Sequence, residues 1–272
     1  MIEALVAALA GLLIGSFLNV CIYRLPRDLS VVKPRSFCPE CNQTISWFDN
    51  IPVVSYMVLA GRCRRCGHRI SARYPIVELL TAAVFFCSVK YLGPTLAAAK
   101  FCVFGAILIE LVFSDLDERI LPDEFTLGGT ALGVIFAAFV PPGGGILRLM
   151  FFSPNYQRLL SVGDALFAGA LCGGALWAVG ALYEKIRHRE GLGLGDVKMV
   201  MMVGAFLGVQ GALLTLIVGS LLGAIVGLCY IWFTGKDAST YELPFGTFLG
   251  VSALGVGFLG EVVFNWYSRL GA

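Results

Sequence analysis

Eight apolar stretches constrain this chain of 272 residues more than any other feature. A bilayer core about 30 Å thick needs about 20 apolar residues in a helix to cross it. Backbone polar groups cannot stay unpaired in lipid, so such stretches form helices. We expect spans at residues 2–23, 75–92, 95–114, 124–140, 163–183, 197–209, 212–233 and 246–267. The sequence therefore predicts an all-α polytopic membrane protein with about eight transmembrane helices.

The composition agrees with a lipid environment and excludes a nucleic-acid partner. Apolar residues make up 58% of the chain and charged residues 14%, against about 25% charged residues in an average soluble domain. The formal net charge of +2 provides no basic surface for nucleic acid. The first stretch has no Lys or Arg before it, which argues against a cleaved signal peptide.

The distribution of Lys and Arg predicts the orientation. With eight crossings, 15 of the 20 basic residues fall in loops on one face. Positive-inside bias makes that face cytoplasmic and leaves both termini outside. The chain then divides into a first transmembrane helix at 1–23, a cytoplasmic loop domain at 24–74 and a transmembrane domain at 75–272. One outer loop, 141–161, opens with Pro-Pro-Gly-Gly-Gly and is expected to lie along the membrane surface.

The loop domain contains two Cys-x-x-Cys pairs. These are Cys38-Pro-Glu-Cys41 and Cys63-Arg-Arg-Cys66. Four thiolates from two such pairs can surround Zn²⁺ tetrahedrally, and a complete protein ligand set indicates a structural metal. Two disulfides or free thiols are the alternatives, but disulfides rarely persist in the reducing cytoplasm. We predict a zinc-ribbon-like loop with a small apolar core that includes Trp47, Phe48, Ile51 and Tyr56.

Two aspartates lie where apolar stretches meet water on the same predicted face. Asp115 directly follows the third stretch, and Asp196 precedes the sixth. A single such aspartate is most often a helix cap, but two carboxyl groups that meet can share a proton, as in aspartic proteases. Asp117 and Asp123 compete with Asp115, which is preferred because it adjoins the apolar stretch. Gly195, before Asp196, would let a peptide approach the backbone closely.

Glycine spacing predicts how the helices pack. Small residues four apart on one helix face let two helices approach closely. Such sets occur at Gly129 and Gly133, at Gly169 and Gly173, and at Gly219, Gly223 and Gly227.

These motifs together resemble the type IV prepilin peptidase family, and the resemblance covers essentially the whole chain. The segments that carry it are Gly15-Ser-Phe-Leu-Asn-Val-Cys-Ile-Tyr-Arg-Leu-Pro26, the paired Cys-x-x-Cys, Asp115 with Leu121-Pro122-Asp123, Gly193-x-Gly195-Asp196, and Pro244-Phe245-Gly246. Two departures are Thr247, where many relatives have a second proline, and the 81-residue separation of the two aspartates. We expect neither to touch the acid pair.

The resemblance implies a bifunctional enzyme of the bacterial inner membrane that serves type IV pili and type II secretion. It would cleave the leader of prepilins or pseudopilins at the cytoplasmic face and then N-methylate the new terminus with S-adenosylmethionine. By resemblance, Asp115 and Asp196 are the catalytic pair, the four loop cysteines are zinc ligands, residues 24–74 serve methyl transfer, and 75–272 is the peptidase domain. Gly61 and Arg62 are weak candidates for the methyl-transfer site.

Two other classes of protein remain as alternatives. An ion- or proton-coupled transporter would use the membrane acids for cations and the zinc ribbon for docking, although transporter sites usually lie near the bilayer midplane. A non-enzymatic assembly scaffold would use the aspartates only as caps.

Overall fold

The structure, a computed structural model, describes residues 1–151, 156–188, 191–234 and 243–270. Within these ranges the regular structure is helical, with two isolated β-bridges and no strand. The α-helices are α1 (Ile2–Arg24), α2 (Val54–Val58), α3 (Arg73–Leu92), α4 (Leu96–Glu118), α5 (Asp123–Ala137), α6 (Ile146–Met150), α7 (Gln157–Arg187), α8 (Leu194–Thr234) and α9 (Phe245–Leu270). The all-α prediction is confirmed.

Each of the eight predicted spans coincides with a helix or with one part of α8. Five helices in the described part of the chain, α1, α3, α4, α7 and α8, are long and apolar enough to cross a membrane. Helix α5 has only 15 residues, about 22 Å at 1.5 Å per residue. The protein is therefore a multi-pass membrane protein.

The chain forms two compact units, Met1–Glu110 and Leu111–Ala272. In the first unit, α1 and α3 pack as an antiparallel pair on two glycines. A Cβ added at Gly11 would lie 2.7 Å from Ala82 Cα, and one at Gly15 would lie 2.7 Å from Glu78 Cα. Only glycine permits this approach, so the small residues of the first span set the position of α3.

In the second unit, α8 packs against α5, α7 and α9 through small residues. A Cβ added at Gly204 would lie 2.8 Å from the Ala168 carbonyl oxygen of α7, and one at Gly173 would lie 3.0 Å from Met201 Cβ. The glycines predicted to pack against other helices do so. Each is buried, or a Cβ added to it would contact or clash with a neighbouring segment. These residues are Gly129, Gly133, Gly169, Gly173, Gly219, Gly223 and Gly227.

Helix α8 is broken at Gly208, where φ is 77° and ψ is 179°. This conformation favours glycine, because a Cβ would strain the backbone. The break separates residues 194–207 from 209–234 and lies inside the predicted span 197–209, two residues before the gap expected between 209 and 212. The first part has 14 residues and is about 21 Å long, which is shorter than a bilayer core.

The two parts of α8 run in opposite directions. Gly195 is near the start of α8 and Gly246 near the start of α9. A Cβ added at Gly195 would lie 3.1 Å from a side-chain atom of Leu121, and one added at Gly246 would lie 3.0 Å from another. The starts of α8 and α9 therefore lie at one end of the unit. Gly227 is near the C-terminus of α8, and a Cβ added there would lie 2.6 Å from Leu243, two residues before α9 begins. The C-terminus of α8 therefore lies at the same end of the unit. The chain therefore leaves this end, turns at Gly208 and returns.

Part of the loop at 141–161, which the sequence predicts to lie outside, lies against this turn. A Cβ added at Gly208 would clash with the Gly143 carbonyl oxygen, and the loop is closed by Asp164, whose Oδ1 accepts from Leu147 N at 2.7 Å. Its Oδ2 accepts from Arg148 Nε at 2.8 Å. Met150 is 69% exposed, and residues 152–155 of this loop lie outside the described residues, so its position along the membrane surface stays a prediction.

Candidate active site and metal site

Asp115 lies in the last turn of α4 and is 6% exposed. Its Oδ2 accepts two hydrogen bonds from Thr247 in the first turn of α9, from the backbone N at 2.6 Å and from Oγ1 at 2.8 Å. Thr247 Oγ1 also lies 3.3 Å from the carbonyl oxygen of Val112. The N-terminus of α9 thus holds one oxygen of this carboxyl group with two donors, and its dipole favours negative charge there.

Asp196 lies in the first turn of α8, after a glycine pair. Its backbone N donates to the Gly193 carbonyl oxygen at 3.2 Å, and its side chain accepts from the Gly193 N–H. A Cβ added at Gly193 would lie 3.4 Å from Asp196 Oδ2. The side chain does cap the helix, but its segment also lies beside that of Asp115, since Gly195 and Gly246 both approach Leu121 and a Cβ at Gly246 would lie 3.2 Å from Asp115 Cγ. The structure therefore brings the two predicted carboxyl groups together.

Leu121 links the segments that carry the pair. Helix α4 ends at Glu118, Arg119 turns the chain with φ at 55°, and Pro122 in an extended conformation starts α5. A Cβ at Gly195 would lie 3.1 Å from Leu121 Cβ, and a Cβ at Gly246 would lie 3.2 Å from Asp115 Cγ. Glycine at both positions lets three chain segments meet around one leucine.

The competing aspartates have other surroundings. The side chain of Asp123 is 57% exposed and pairs with Lys198 Nζ at 2.7 Å. Asp117 is also exposed, whereas Asp115 is buried. The preference for Asp115 therefore agrees with the geometry.

Thr247 is the functional residue that the sequence reasoning missed. It was expected not to touch the acid pair, and that expectation is wrong, since it supplies both donors to Asp115 Oδ2. The available signal was its position three residues after Pro244, in the first turn of a helix. Backbone N–H groups in that turn have no partner within the helix, so an acid nearby would be bound.

The four loop cysteines also come together. Their sulfur atoms all lie within 4.8 Å of one another, and Cys38 Sγ lies 3.8 Å from Cys66 Sγ. A tetrahedral Zn²⁺ with Zn–S distances of about 2.3 Å has S···S edges of about 3.8 Å. The donor set could thus hold a metal ion, and the four residues fit zinc.

The two cysteine pairs form equivalent turns. Cys38 N donates to Gln43 O at 3.0 Å, and Cys63 N donates to His68 O at 2.9 Å. One residue after the second cysteine of each pair, φ is positive, at 54° for Asn42 and 71° for Gly67. Each turn aims two sulfur atoms at the same point.

Hydrogen bonds to sulfur favour the thiolate form. The backbone N–H groups of Cys66 and Arg65 lower the pKa of the Cys63 thiol to about 6. The His68 N–H has the same effect on Cys66, but burial and the neighbouring thiols outweigh it and raise the pKa of Cys66 to about 12. Thiols this crowded ionise together only around a positive charge, which a metal ion supplies.

The prediction that four apolar side chains form a core in this loop is largely wrong. Trp47 is 73% exposed, Phe48 47% and Ile51 41%. Only Tyr56 of the four packs inward: a Cβ added at Gly61, where φ is 64°, would lie 2.9 Å from its ring. Gly61 thus shapes the start of the second cysteine turn, and the exposed Arg62 follows it. Neither residue is placed at a ligand site by these contacts.

Two family models match the chain, one after the other. Residues 9–92 match the bacterial peptidase A24 N-terminal domain, and residues 102–228 match the type IV leader peptidase family. No solved structure matches the chain.

Curated relatives extend the match to most of the chain. A prepilin leader peptidase/N-methyltransferase of Legionella pneumophila is 35% identical over 97% of this chain and 93% of its own length. The protein of that name from Pseudomonas aeruginosa is 32% identical over 90% and 86%. That from Myxococcus xanthus is 38% identical over 85% of this chain, which spans 64% of that relative. The chain therefore belongs to the type IV leader peptidase family.

Proposed function

We propose that this protein cleaves the leader peptide of type IV prepilins or pseudopilins and N-methylates the newly exposed N-terminus. The relatives carry both activities in their names. The observation that carries the proposal is geometric: Asp115 and Asp196 are 81 residues apart in sequence, yet Gly195, Gly246 and Leu121 hold their segments together at one end of a helical unit. The family match gives no support to the transporter alternative.

In the proposed mechanism Asp115 is the ionised partner. Its Oδ2 is occupied by the two donors of Thr247, which leaves Oδ1 to take a proton from the attacking water. The protonated Asp196 donates to the scissile carbonyl oxygen as the water oxygen bonds to the carbonyl carbon. The proton on Asp115 then passes to the leaving amine, so no covalent intermediate forms.

The position of the pair fits a substrate whose leader remains in the cytoplasm. Both aspartates lie at ends of apolar helices, Asp115 in the last turn of α4 and Asp196 in the first turn of α8, which we place at the cytoplasmic face. Gly195 is covered by Leu121, but a Cβ added at Gly193 would meet no side chain other than that of Asp196, at 3.4 Å, which leaves room for a peptide beside this carboxyl group. The substrate helix unwinds locally to present its peptide bond.

We assign the two proposed activities to different parts of the chain. We assign cleavage to the proposed peptidase domain, 75–272, with Asp115 and Asp196 as catalytic residues. Residues 24–74, which follow the first transmembrane helix at 1–23, would hold Zn²⁺ through Cys38, Cys41, Cys63 and Cys66 and serve methyl transfer. S-adenosylmethionine supplies the methyl group, with Gly61 and Arg62 as weak candidates for its site. The bacterial inner membrane, with the pair at its cytoplasmic face, is the proposed location.

A product-mass experiment tests both activities. The purified protein is incubated in lipid with a prepilin, with and without S-adenosylmethionine, and the product mass is read. We expect a clipped product without the methyl donor and a clipped, methylated one with it. Asp115→Asn and Asp196→Asn keep the side-chain shape but remove the proton transfer, so each should lower the cleavage rate by about 10³-fold or more.

Asp123→Asn is the matched control, because it makes the same chemical change at an exposed aspartate. It breaks only a surface ion pair, worth about 0–1 kcal/mol, and should leave the cleavage rate within about two-fold of the original. Full cleavage by either Asp115→Asn or Asp196→Asn would refute the assignment of the pair.

A further inference from the structure

Helix α2 in the cysteine loop turns its apolar side outward. Val54, Met57 and Val58 share one helix face and are 48%, 66% and 73% exposed. The polar Ser55 is instead 8% exposed, and its Oγ donates to the Phe48 carbonyl oxygen at 2.8 Å. This is the reverse of the pattern of a helix that lies on a protein surface in water.

The preceding 3-10 turn, Trp47–Asn50, extends the same exposed apolar surface. Trp47 packs edge-to-face on Phe48 with ring centroids 5.8 Å apart, yet both rings remain largely exposed. Ser55 ties the turn to α2, since its Oγ also accepts from Ile51 N at 3.0 Å. We call residues 47–58 the apolar shelf.

A hydrogen bond connects the shelf to the membrane-spanning helices of the first unit. Val53 N, at the start of α2, donates to Glu78 Oε2 at 2.7 Å. Glu78 is in the second turn of α3, against Gly15 of α1. Gly15 lies nine residues before Arg24, the end of α1, which is about 13 Å along the helix. The hydrogen bond thus ties the shelf to the apolar part of the first unit.

The surroundings of the shelf are basic. Residues 24–74 contain nine Lys and Arg against three Asp and Glu. The Arg64 guanidinium lies 5.7 Å from the Phe48 ring centroid and binds Asp49 at 2.7 Å, at the edge of the shelf. Aromatic rings with cationic side chains beside them are typical of segments at a lipid headgroup layer, and positive charge is attracted by anionic lipid.

We propose that the apolar shelf inserts into the cytoplasmic leaflet as an interfacial anchor, with an anionic lipid surface as its partner. Burial of its apolar side chains among acyl chains removes the cost of exposing them to water. The basic side chains around it then bind lipid phosphates. This anchor fixes the height of the metal loop above the bilayer through a contact independent of catalysis.

Depth-dependent fluorescence quenching tests the proposal. In the full-length protein, Trp177, Trp232 and Trp266 are changed to Phe, which leaves Trp47 as the only tryptophan. The protein is placed in vesicles with about 30% phosphatidylglycerol and with lipids brominated on their acyl chains. We expect Trp47 fluorescence to be quenched by bromine and protected from aqueous iodide.

The control moves the reporter to a charged position of the same loop. Glu40, whose side chain is 66% exposed, becomes Trp in a Trp47→Phe background. Bromine should quench Trp47 at least about two-fold more than this control. Equal quenching overturns the proposal, and so does protection of Trp47 that arises only when a prepilin is added, because the shelf would then be a protein-docking surface.

A second measurement avoids dependence on the folding of these variants. The unsubstituted protein is illuminated in vesicles that contain a lipid with a diazirine on its acyl chain. The labelled residues are located by chymotryptic digestion and tandem mass spectrometry, since no Lys or Arg separates these segments. We expect label within residues 47–58 and none within residues 38–41. Label absent from 47–58, with spanning helices labelled, overturns the proposal.

Discussion

The metal site and the carboxyl site are built over very different lengths of chain. Four cysteines between residues 38 and 66 come together through two short turns of the same design. Asp115 instead meets Asp196 from 81 residues away and Thr247 from 132 residues away. The first site depends on local backbone geometry, and the second on how three helices pack.

This difference determines what each site tolerates. The cysteine turns have few apolar contacts of their own, since Trp47 and Phe48 point outward, so a metal bound by the four cysteines would supply much of the folding free energy of the loop. The carboxyl site is held by packing at Gly195 and Gly246 and by hydrogen bonds. Loss of one ligand should therefore disrupt the whole loop, whereas loss of one hydrogen bond should weaken the carboxyl site by degrees.

The largest expected effect follows removal of a metal ligand. Cys38→Ser should abolish zinc binding and unfold residues 24–74, because structural zinc contributes about 10–16 kcal/mol of apparent folding free energy. Metal analysis should then find no zinc, and trypsin should cut rapidly within the Arg-rich segment after residue 61.

Cys229→Ser is the control, since Cys229 is an exposed cysteine of α8. It should retain one zinc per chain, and so should Asp115→Asn and Asp196→Asn. Full zinc content in Cys38→Ser would show that packing, rather than the metal, holds the loop, and the contrast between the two sites would fail.

The same contrast explains which features the sequence could predict. The spacing of Cys38, Cys41, Cys63 and Cys66 identifies a local ligand set, so the structure agrees with it. The spans follow from hydropathy and lipid thickness, and the break at Gly208 lies two residues before the gap predicted between 209 and 212. The orientation of a short segment cannot be predicted in the same way. Its periodicity does not show whether the apolar side faces protein or lipid, so the exposed position of Trp47 was not predicted.

Long-range contacts of the carboxyl site were predicted only in part. Two acids on one face of the membrane can be inferred by counting crossings, which places Asp115 and Asp196 at the same end. The partner of each acid cannot be inferred in this way. Thr247 contacts Asp115 only because α9 begins beside the end of α4, and that depends on helix packing across 132 residues.

An intermediate effect is expected at Thr247. Thr247→Val keeps the backbone donor to Asp115 and removes only the hydroxyl donor. Hydrogen bonds to charged groups are worth about 1.5–3 kcal/mol, so kcat/KM for prepilin cleavage should fall by about 10- to 100-fold. Thr247→Ser restores the hydroxyl group and should recover most of the rate.

Thermal unfolding separates this effect from misfolding, since both variants should unfold within a few degrees of the original protein. Equal kcat/KM in Thr247→Val and Thr247→Ser would mean that the hydroxyl donor does not position Asp115. The carboxyl site would then rely on the backbone N–H alone.

The smallest effect compares two glycines of the metal loop. Gly61 and Gly67 both have positive φ, at 64° and 71°, so alanine at either position carries a backbone cost of about 1 kcal/mol. Only Gly61 also has a close neighbour: an added Cβ would lie 2.9 Å from the Tyr56 ring, while nothing lies within 4 Å of one at Gly67.

Gly61→Ala should therefore release zinc to a chelator faster than Gly67→Ala, by about ten-fold if the clash adds about 1.4 kcal/mol. Equal release rates would show that the loop depends on its turns alone, and that its contact with α2 adds nothing to metal retention.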